Sequence, residues 1–183
     1  MKAVVLYESL FGNTEAVAKA IAEGLAPFGE VAAAQVGEAP RALTAEADLL
    51  VVGGPTHAHG MSKPATRRQP DANVFATGIR EWLEGLPAAP GRTVAAFDTR
   101  FDKPRWLTGS AAVRIARRLR RTGHRVVLPP ESFFVEHTGG PLSEGEADRA
   151  RRWGAQLGQR MTAANDVRRR RAVSGSARGG DHR

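Results

Sequence analysis

The stretch that decides the fold is KAVVLYESLFGNTEAVAKAI, residues 2–21. It opens on a near-continuous apolar run, Lys2–Tyr7, without the alternation of a half-exposed strand, as expected of a strand buried on both faces. Further on, Val17, Ala20, Ile21, Gly24 and Leu25 share one helical face, with Glu15, Lys19 and Glu23 outside it. A turn from strand to helix needs one capping residue, yet Ser9, Gly12, Asn13 and Thr14 crowd into this one. The first turn of a helix leaves N–H groups without carbonyl partners and carries a positive partial charge, so an anion there collects several charge-assisted hydrogen bonds. Gly12 allows close backbone approach, and Ser9, Asn13 and Thr14 add side-chain donors. The group predicts a phosphate cradle; an ordinary N-cap by Asn13 or Thr14 explains one polar residue but not the set.

Working outward, the same unit repeats. Asp48–Gly53, Thr93–Phe97 and Arg125–Leu128 are further buried-strand runs, and Glu30–Val36 reads as a weaker edge strand. Helical spacing recurs in Ile79, Trp82, Leu83 and Leu86 and in Ala112, Ile115, Ala116 and Leu119. Ser143-Glu144-Gly145-Glu146 has the form of a capping box, with Leu142 placed to staple onto Ala147, and the helix continues through Ala150, Trp153, Leu157 and Met161. Strands alternating with helices imply right-handed crossovers, hence an α/β fold with a doubly wound parallel sheet and helices on both faces. Ligands of such sheets sit beyond the carboxyl ends of the strands, so the informative loops are Glu8–Asn13, Gly54–Thr77 and Asp98–Thr108.

Composition narrows the chemistry. The chain has 183 residues, one domain's worth, and no cysteine, which removes disulfides, thiolate metal sites and cysteine nucleophiles and suits an intracellular protein. The apolar start, Ala3–Leu6, is too short for a signal peptide or a membrane span, and the protein reads as cytoplasmic. Of the net charge of +8, half lies from Ala163 onward, where Arg168 to Arg171, Arg178 and Arg183 face only Asp166 and Asp181. That stretch lacks an apolar period, so the expected organisation is one domain over 1–162 and a basic, disordered tail over 163–183. Nucleic-acid contact is expected, if anywhere, only from the tail, through the Arg168–Arg171 run. The first loop has no Lys after its glycine, as a nucleotide triphosphatase loop requires, and no G-x-G-x-x-G. Nor does an Asp end the third strand, as a phospho-acceptor receiver would need. A monophosphate held without a cationic side chain remains.

Ser9-Leu10-Phe11-Gly12-Asn13-Thr14 after a strand is similar to the FMN-phosphate loop of flavodoxins. Gly53-Gly54-Pro55-Thr56-His57-Ala58-His59-Gly60-Met61 resembles the loop along the flavin in flavodoxins and in the flavodoxin domains of flavo-diiron proteins, and Phe133 to Leu157 resembles the closing strand and helix. The resemblance implies five parallel strands in the order 2-1-3-4-5, non-covalently bound FMN as cofactor, and electron transfer between a reductase and an acceptor. By position, Ser9, Leu10, Phe11, Gly12, Asn13 and Thr14 would belong to the phosphate loop. Pro55, Thr56, His57 and Ala58 would line one side of the isoalloxazine, and Asp98, Thr99 and Arg100 its pyrimidine edge. Partners would be a redox protein or a small-molecule acceptor, with no membrane. No catalytic acid, base or nucleophile and no metal is called for.

Flavodoxins usually sandwich the flavin between two aromatic residues; here the second loop offers His57, and the third offers Phe101 or Trp106 a few residues late. Gly109-Ser110 reads either as a second helix-start anion site or as a plain cap. His57 and His59 lack the further ligands of a metal site. Arg114, Arg117, Arg118, Arg120 and Arg121 form a basic stripe, a solvated face or a dock for an acidic partner. Two other functions remain open. One is an NAD(P)H-dependent quinone-type reductase in which Lys63, Arg67 and Arg68 meet a dinucleotide phosphate or form a lid; the other is a non-redox binding domain with a decayed flavin site.

Overall fold

The structure is a computed structural model that describes residues 1–39, 41–57, 60–67 and 77–176. Its elements are β1 (Lys2–Tyr7), α1 (Asn13–Leu25), β2 (Glu30–Gln35), α2 (Arg41–Ala45), β3 (Leu49–His57), β4 (Gly60–Met61), α3 (Pro64–Arg67), α4 (Ile79–Glu84), β5 (Thr93–Phe101), α5 (Arg105–Thr108), α6 (Ala111–Arg121), β6 (Arg125–Val126), β7 (Glu131–Val135) and α7 (Glu146–Ser176). The sheet runs β2-β1-β3-β5, and its fifth position is shared by two short strands. β6 pairs with Thr93 and Val94 at the start of β5, and β7 with Phe97 to Phe101 at its end, all in parallel. This is the expected doubly wound order with the last strand interrupted. The sequence reading carried that strand through Leu128, but β6 stops at Val126. Pro129 and Pro130 follow, and two residues without N–H groups cannot continue a ladder. A short antiparallel hairpin also pairs β4 with the end of β3.

Alternate residues of each central strand face opposite layers. Ala3, Val5 and Tyr7 of β1 join Val51, Phe97 and Phe133 under α1 and α7, while Val4 and Leu6 join Val52, Val94 and Ala96 under α4 and α6. The helical faces read from the sequence are the buried ones: Val17, Ile21 and Leu25 in α1, Ile115 and Leu119 in α6, and Trp153, Leu157 and Met161 in α7. α1 and α7 touch backbone to backbone, since a Cβ on Gly24 would lie 2.0 Å from the Arg151 carbonyl oxygen and one on Gly154 2.3 Å from that of Ile21. Two small residues therefore set this contact, which anchors α1 and with it the first loop.

α7 differs from expectation at both ends. At its start Glu146 does not close a capping box; its carboxylate accepts from the Phe134 N–H at 2.7 Å and from Arg149, while the Ser143 N–H donates to the Phe134 carbonyl. At its end the helix runs to Ser176, so residues 163–176, read from the sequence as disordered tail, are helical. Ala163, Ala164 and the Arg168–Arg171 run are strong helix formers, so propensity favours the extension, and Met161 is the last buried residue among those whose side chains are described. No helix among the described residues is long and apolar enough to cross a membrane.

Candidate functional site

At the carboxyl ends of β1, β3 and β5 the loops enclose a cleft of about 310 Å³. It lies at the switch point, where the chain leaves β1 for β2 on one side and β3 for β5 on the other. Of the described residues that the sequence assigns to the cofactor site, all but Gly12 and Asp98 line it. Ala58 lies outside the described residues, as do His59 and Arg68.

The first loop is built around its backbone. Gly12, immediately before α1, has φ of 88°, in the left-handed region that favours glycine, and its carbonyl accepts the first helical bond from the Ala16 N–H at 2.9 Å. Its Cβ direction is open, with no atom within 4 Å, so in the protein itself conformation, not crowding, requires glycine here. Ser9 Oγ accepts from the Gly12 N–H at 3.1 Å and fixes the turn. The side chains of Asn13 and Thr14 are already engaged: Asn13 Nδ2 donates to the Gly140 carbonyl, and the Thr14 and Thr99 hydroxyls bond each other at 2.8 Å in the interior. The first-turn N–H groups of Asn13, Thr14 and Glu15, having no carbonyl one turn earlier, are the donors left to this helix end. The expected cradle of side-chain donors is thus mainly a cradle of backbone donors.

From the second loop, Pro55, Thr56 and His57 reach the cleft. Burial pushes the His57 imidazole below its usual pKa, against the opposing charge of Glu8, so the ring is neutral at pH 7. Beneath this loop lies a polar network that sequence reasoning missed. Glu8 is buried and accepts from Ser62 Oγ and from the Ile79 N–H at 2.8 Å. Arg67 is also buried; its Nη1 donates to Ser62 Oγ and lies 3.1 Å from Glu81 Oε2, which also accepts from the Gly78 N–H. Burial alone would raise the Glu81 carboxyl, but Arg67 and the backbone donors hold it below its usual pKa. Arg67 is therefore a strut, not the free cation expected of a lid or dinucleotide site.

The third loop turns its polar groups inward. Asp98 is fully buried and faces α6, where its Oδ2 accepts from Ser110 Oγ (2.6 Å), Thr56 Oγ1 (2.9 Å) and the Ala112 N–H (2.9 Å). It does not belong to the cleft edge. Strand alternation explains this: Phe97 and Thr99 face α1, so the residue between them faces α6. The helix start at Gly109-Ser110 holds the protein's own carboxylate where a second anion site was one reading, and Ser110 accepts from the Val113 N–H as an N-cap. Arg100 lines the cleft, and its Nη1 donates to the carbonyls of Phe101 (3.0 Å) and Lys103 (2.5 Å) and to Thr108 Oγ1 (3.2 Å). Its guanidinium carbon lies 5.0 Å from the centroid of the Phe134 ring, and burial lowers its pKa against the pull of Asp98. Phe101 is in the cleft wall; Trp106 is 83% exposed and is not.

A fourth segment, absent from the sequence reading, completes the wall: Val135 at the end of β7, and His137, Thr138 and Gly139 between β7 and α7. Its signal was the Gly139-Gly140 pair after the closing strand; Gly139 has φ of 68° and packs beside the Phe11 ring. Two buried cleft nitrogens, His57 Nε2 and Arg100 Nε, have no hydrogen-bond partner among the described residues. An open helix start and partnerless nitrogens in one half-apolar cleft suit an anionic, largely planar ligand with polar atoms along an edge. No group of three or more potential metal ligands occurs among the described residues.

Fold and cleft together define a doubly wound α/β protein with its binding site at the topological switch. A family model described as flavodoxin matches residues 5–153, and the chain belongs to the flavodoxin family, whose cofactor is FMN. No curated protein matches the sequence. Among solved structures, the chain is similar to a flavodoxin from the domain Archaea (22% identity, TM-score 0.65, 88% of this chain and 99% of that one). It is similar as well to a WrbA-like flavodoxin from Agrobacterium tumefaciens (18%, TM-score 0.62, 88% and 98%). The flavodiiron protein from Giardia intestinalis (22%, TM-score 0.64) is matched over 88% of this chain but 36% of that one.

Proposed function

We propose that this chain is an electron carrier that holds FMN in the cleft between the first, second and third loops. The observation that carries the reading is the open N-terminus of α1 in the cleft wall, held in place by the left-handed Gly12 and the Ser9 hydroxyl. The N–H groups of Asn13, Thr14 and Glu15 would hold the phosphate, with Leu10 and Phe11 forming the adjoining wall. Pro55, Thr56 and His57 would flank one side of the ring system and Phe101 the other, while Thr99 and Arg100 would border its edge. His57 Nε2 and Arg100 Nε are the cleft residues' partnerless nitrogens; turned toward the ring system, Arg100 Nε would donate to a ring acceptor and His57 Nε2 would donate or accept according to its tautomer. Bound FMN supplies one- or two-electron redox chemistry. The protein positions it, excludes water from one side, and sets its electrostatics through the neutral imidazole and the Arg100 cation.

Electrons would arrive from a reductase and leave to a protein or small-molecule acceptor. The burial of Arg67 favours this over direct NAD(P)H oxidation, because it removes one of the three cations the reductase reading relied on. A visible spectrum of the purified protein followed by anaerobic NADPH tests both readings. A flavin spectrum that NADPH alone leaves unbleached supports the carrier. Rapid bleaching makes the protein a reductase, and a colourless protein that FMN does not titrate makes it neither.

A further inference from the structure

Large apolar side chains left in water need a reason, and here they are concentrated. Among the described residues the exposed large hydrophobics are Phe101 (37%), Trp106 (83%), Leu107 (47%) and Val167 on the extended part of α7. Three of them fall in the seven-residue run FDKPRWL, which is exposed throughout. The run leads directly away from the cleft, since Phe101 is itself part of the cleft wall.

The backbone of the run is hydrogen-bonded at both ends. The Arg100 guanidinium clamps the carbonyls of Phe101 and Lys103 and the hydroxyl of Thr108, tying the two ends of the run to one buried cation. Within it, the Lys103 N–H bonds the Phe101 carbonyl at 2.8 Å, and the N–H groups of Leu107 and Thr108 both reach the Pro104 carbonyl. These bonds fix the backbone that carries the indole, and the indole itself is presented outward, as an anchor residue of an interface is.

The surroundings are cationic. Lys103 and Arg105 lie in the same run, opposed only by Asp102, and the Arg114 stem packs where a Cβ on Gly60 would be, beside the second loop. None of the three has a carboxylate within 4.0 Å among the described residues, whereas Arg149 and Arg151 of α7 are paired with Glu131, Glu146, Glu23 and Asp148. An apolar centre with unpaired cations around it fits a negatively charged partner surface. A second copy of this chain would bring the same cations to the contact.

We propose that the Phe101–Leu107 run is the docking surface for an acidic electron-transfer protein, with Trp106 as its central anchor and Lys103, Arg105 and Arg114 as its charged rim. This rests on the electron-carrier reading and names the kind of partner that reading requires. A partner seated on this run would meet the cleft at Phe101, the residue that belongs to both the run and the cleft wall.

The test uses the full chain loaded with FMN, labelled with ¹⁵N, and titrated with a small acidic [2Fe–2S] ferredoxin. Cationic cytochrome c and phosphatidylglycerol vesicles serve as the other probes. FMN loading is read first from the visible spectrum, so a colourless protein fails the functional reading on its own, whatever the titration shows. The expected result is that ferredoxin shifts the Trp106 indole and the amides of Phe101 and Leu107. Trp106→Ala and the pair Lys103→Gln, Arg105→Gln should each weaken binding by at least about tenfold without changing FMN affinity, Trp106→Phe should recover part of the loss, and added salt should weaken binding. The proposal is overturned if ferredoxin does not bind, if it shifts residues elsewhere, if Trp106→Ala leaves binding intact, or if cytochrome c or the vesicles bind this run more tightly.

Discussion

The first and third loops leave parallel strands at the same end of the sheet, two strands apart, and use their polar groups in opposite ways. After β1 the side chains of Ser9, Asn13 and Thr14 are spent on fixing the turn, which leaves backbone N–H groups for a ligand. After β5 the backbone is fixed by a carboxylate and a guanidinium that both turn into the protein, Asp98 onto α6 and Arg100 onto its own loop, which leaves apolar side chains for the outside. One loop is built to receive an anion and the other to present a surface. Topology puts both at the functional end of the sheet, but the direction of a few polar side chains decides what each can do there.

The largest expected effect comes from breaking the inward arrangement. Asp98→Ala removes the acceptor shared by Ser110, Thr56 and the Ala112 N–H in a fully buried site, and should cost about 3 kcal/mol of stability by urea titration. FMN affinity of the folded variant should change by less than about threefold, because Asp98 does not line the cleft. A large loss of affinity with unchanged stability would mean that the third loop serves the ligand as the first does.

Breaking the first loop should do the converse. Gly12→Val forces a β-branched residue into a left-handed backbone and should lower FMN affinity at least tenfold, about 1.4 kcal/mol or more. Since nothing crowds its Cβ direction, the loss of fold stability should stay smaller than for Asp98→Ala. Gly12→Asn, which tolerates the left-handed region, should keep most of the affinity; fluorescence titration of all three proteins separates conformation from bulk.

His57, between the two loops, gives the smallest effect. Burial lowers its pKa in the folded protein, so on acidification the unfolded chain takes up the proton first. Stability is therefore full above the ordinary histidine pKa of about 6.5 and declines as pH falls through the depressed folded value. The melting temperature of the FMN-free protein should fall over that range, and His57→Gln should flatten part of the slope. An unchanged slope would show that His57 is not buried as the cleft requires.

These contrasts also mark what the sequence could reveal. The strands of the central sheet and the buried faces of α1, α6 and α7 were legible, because burial on two sides leaves continuous apolar runs and helix packing leaves a 3.6-residue period. So was the first loop, where local chemistry at a helix start exceeds what a cap needs. The direction of Asp98 could have been read from the two-residue period of β5. By contrast, Arg67 with Glu81, Arg100 with Lys103 and Thr108, and the His137–Gly139 wall depend on side-chain direction or on chain segments far apart in sequence. Local pattern carries none of that information. The extension of α7 to Ser176 leaves no apolar period to read, and intrinsic propensity, which favours helix there, is a weak signal in sequence.

The central claim, that the open start of α1 holds the phosphate of the cofactor, is tested most directly by comparing FMN with riboflavin, which differ only in that group. Equilibrium titration of the cofactor-free protein, followed by flavin fluorescence, should show riboflavin bound at least about tenfold more weakly than FMN, with the difference shrinking sharply in Gly12→Val. Equal affinity for the two flavins in the unaltered protein would contradict the account.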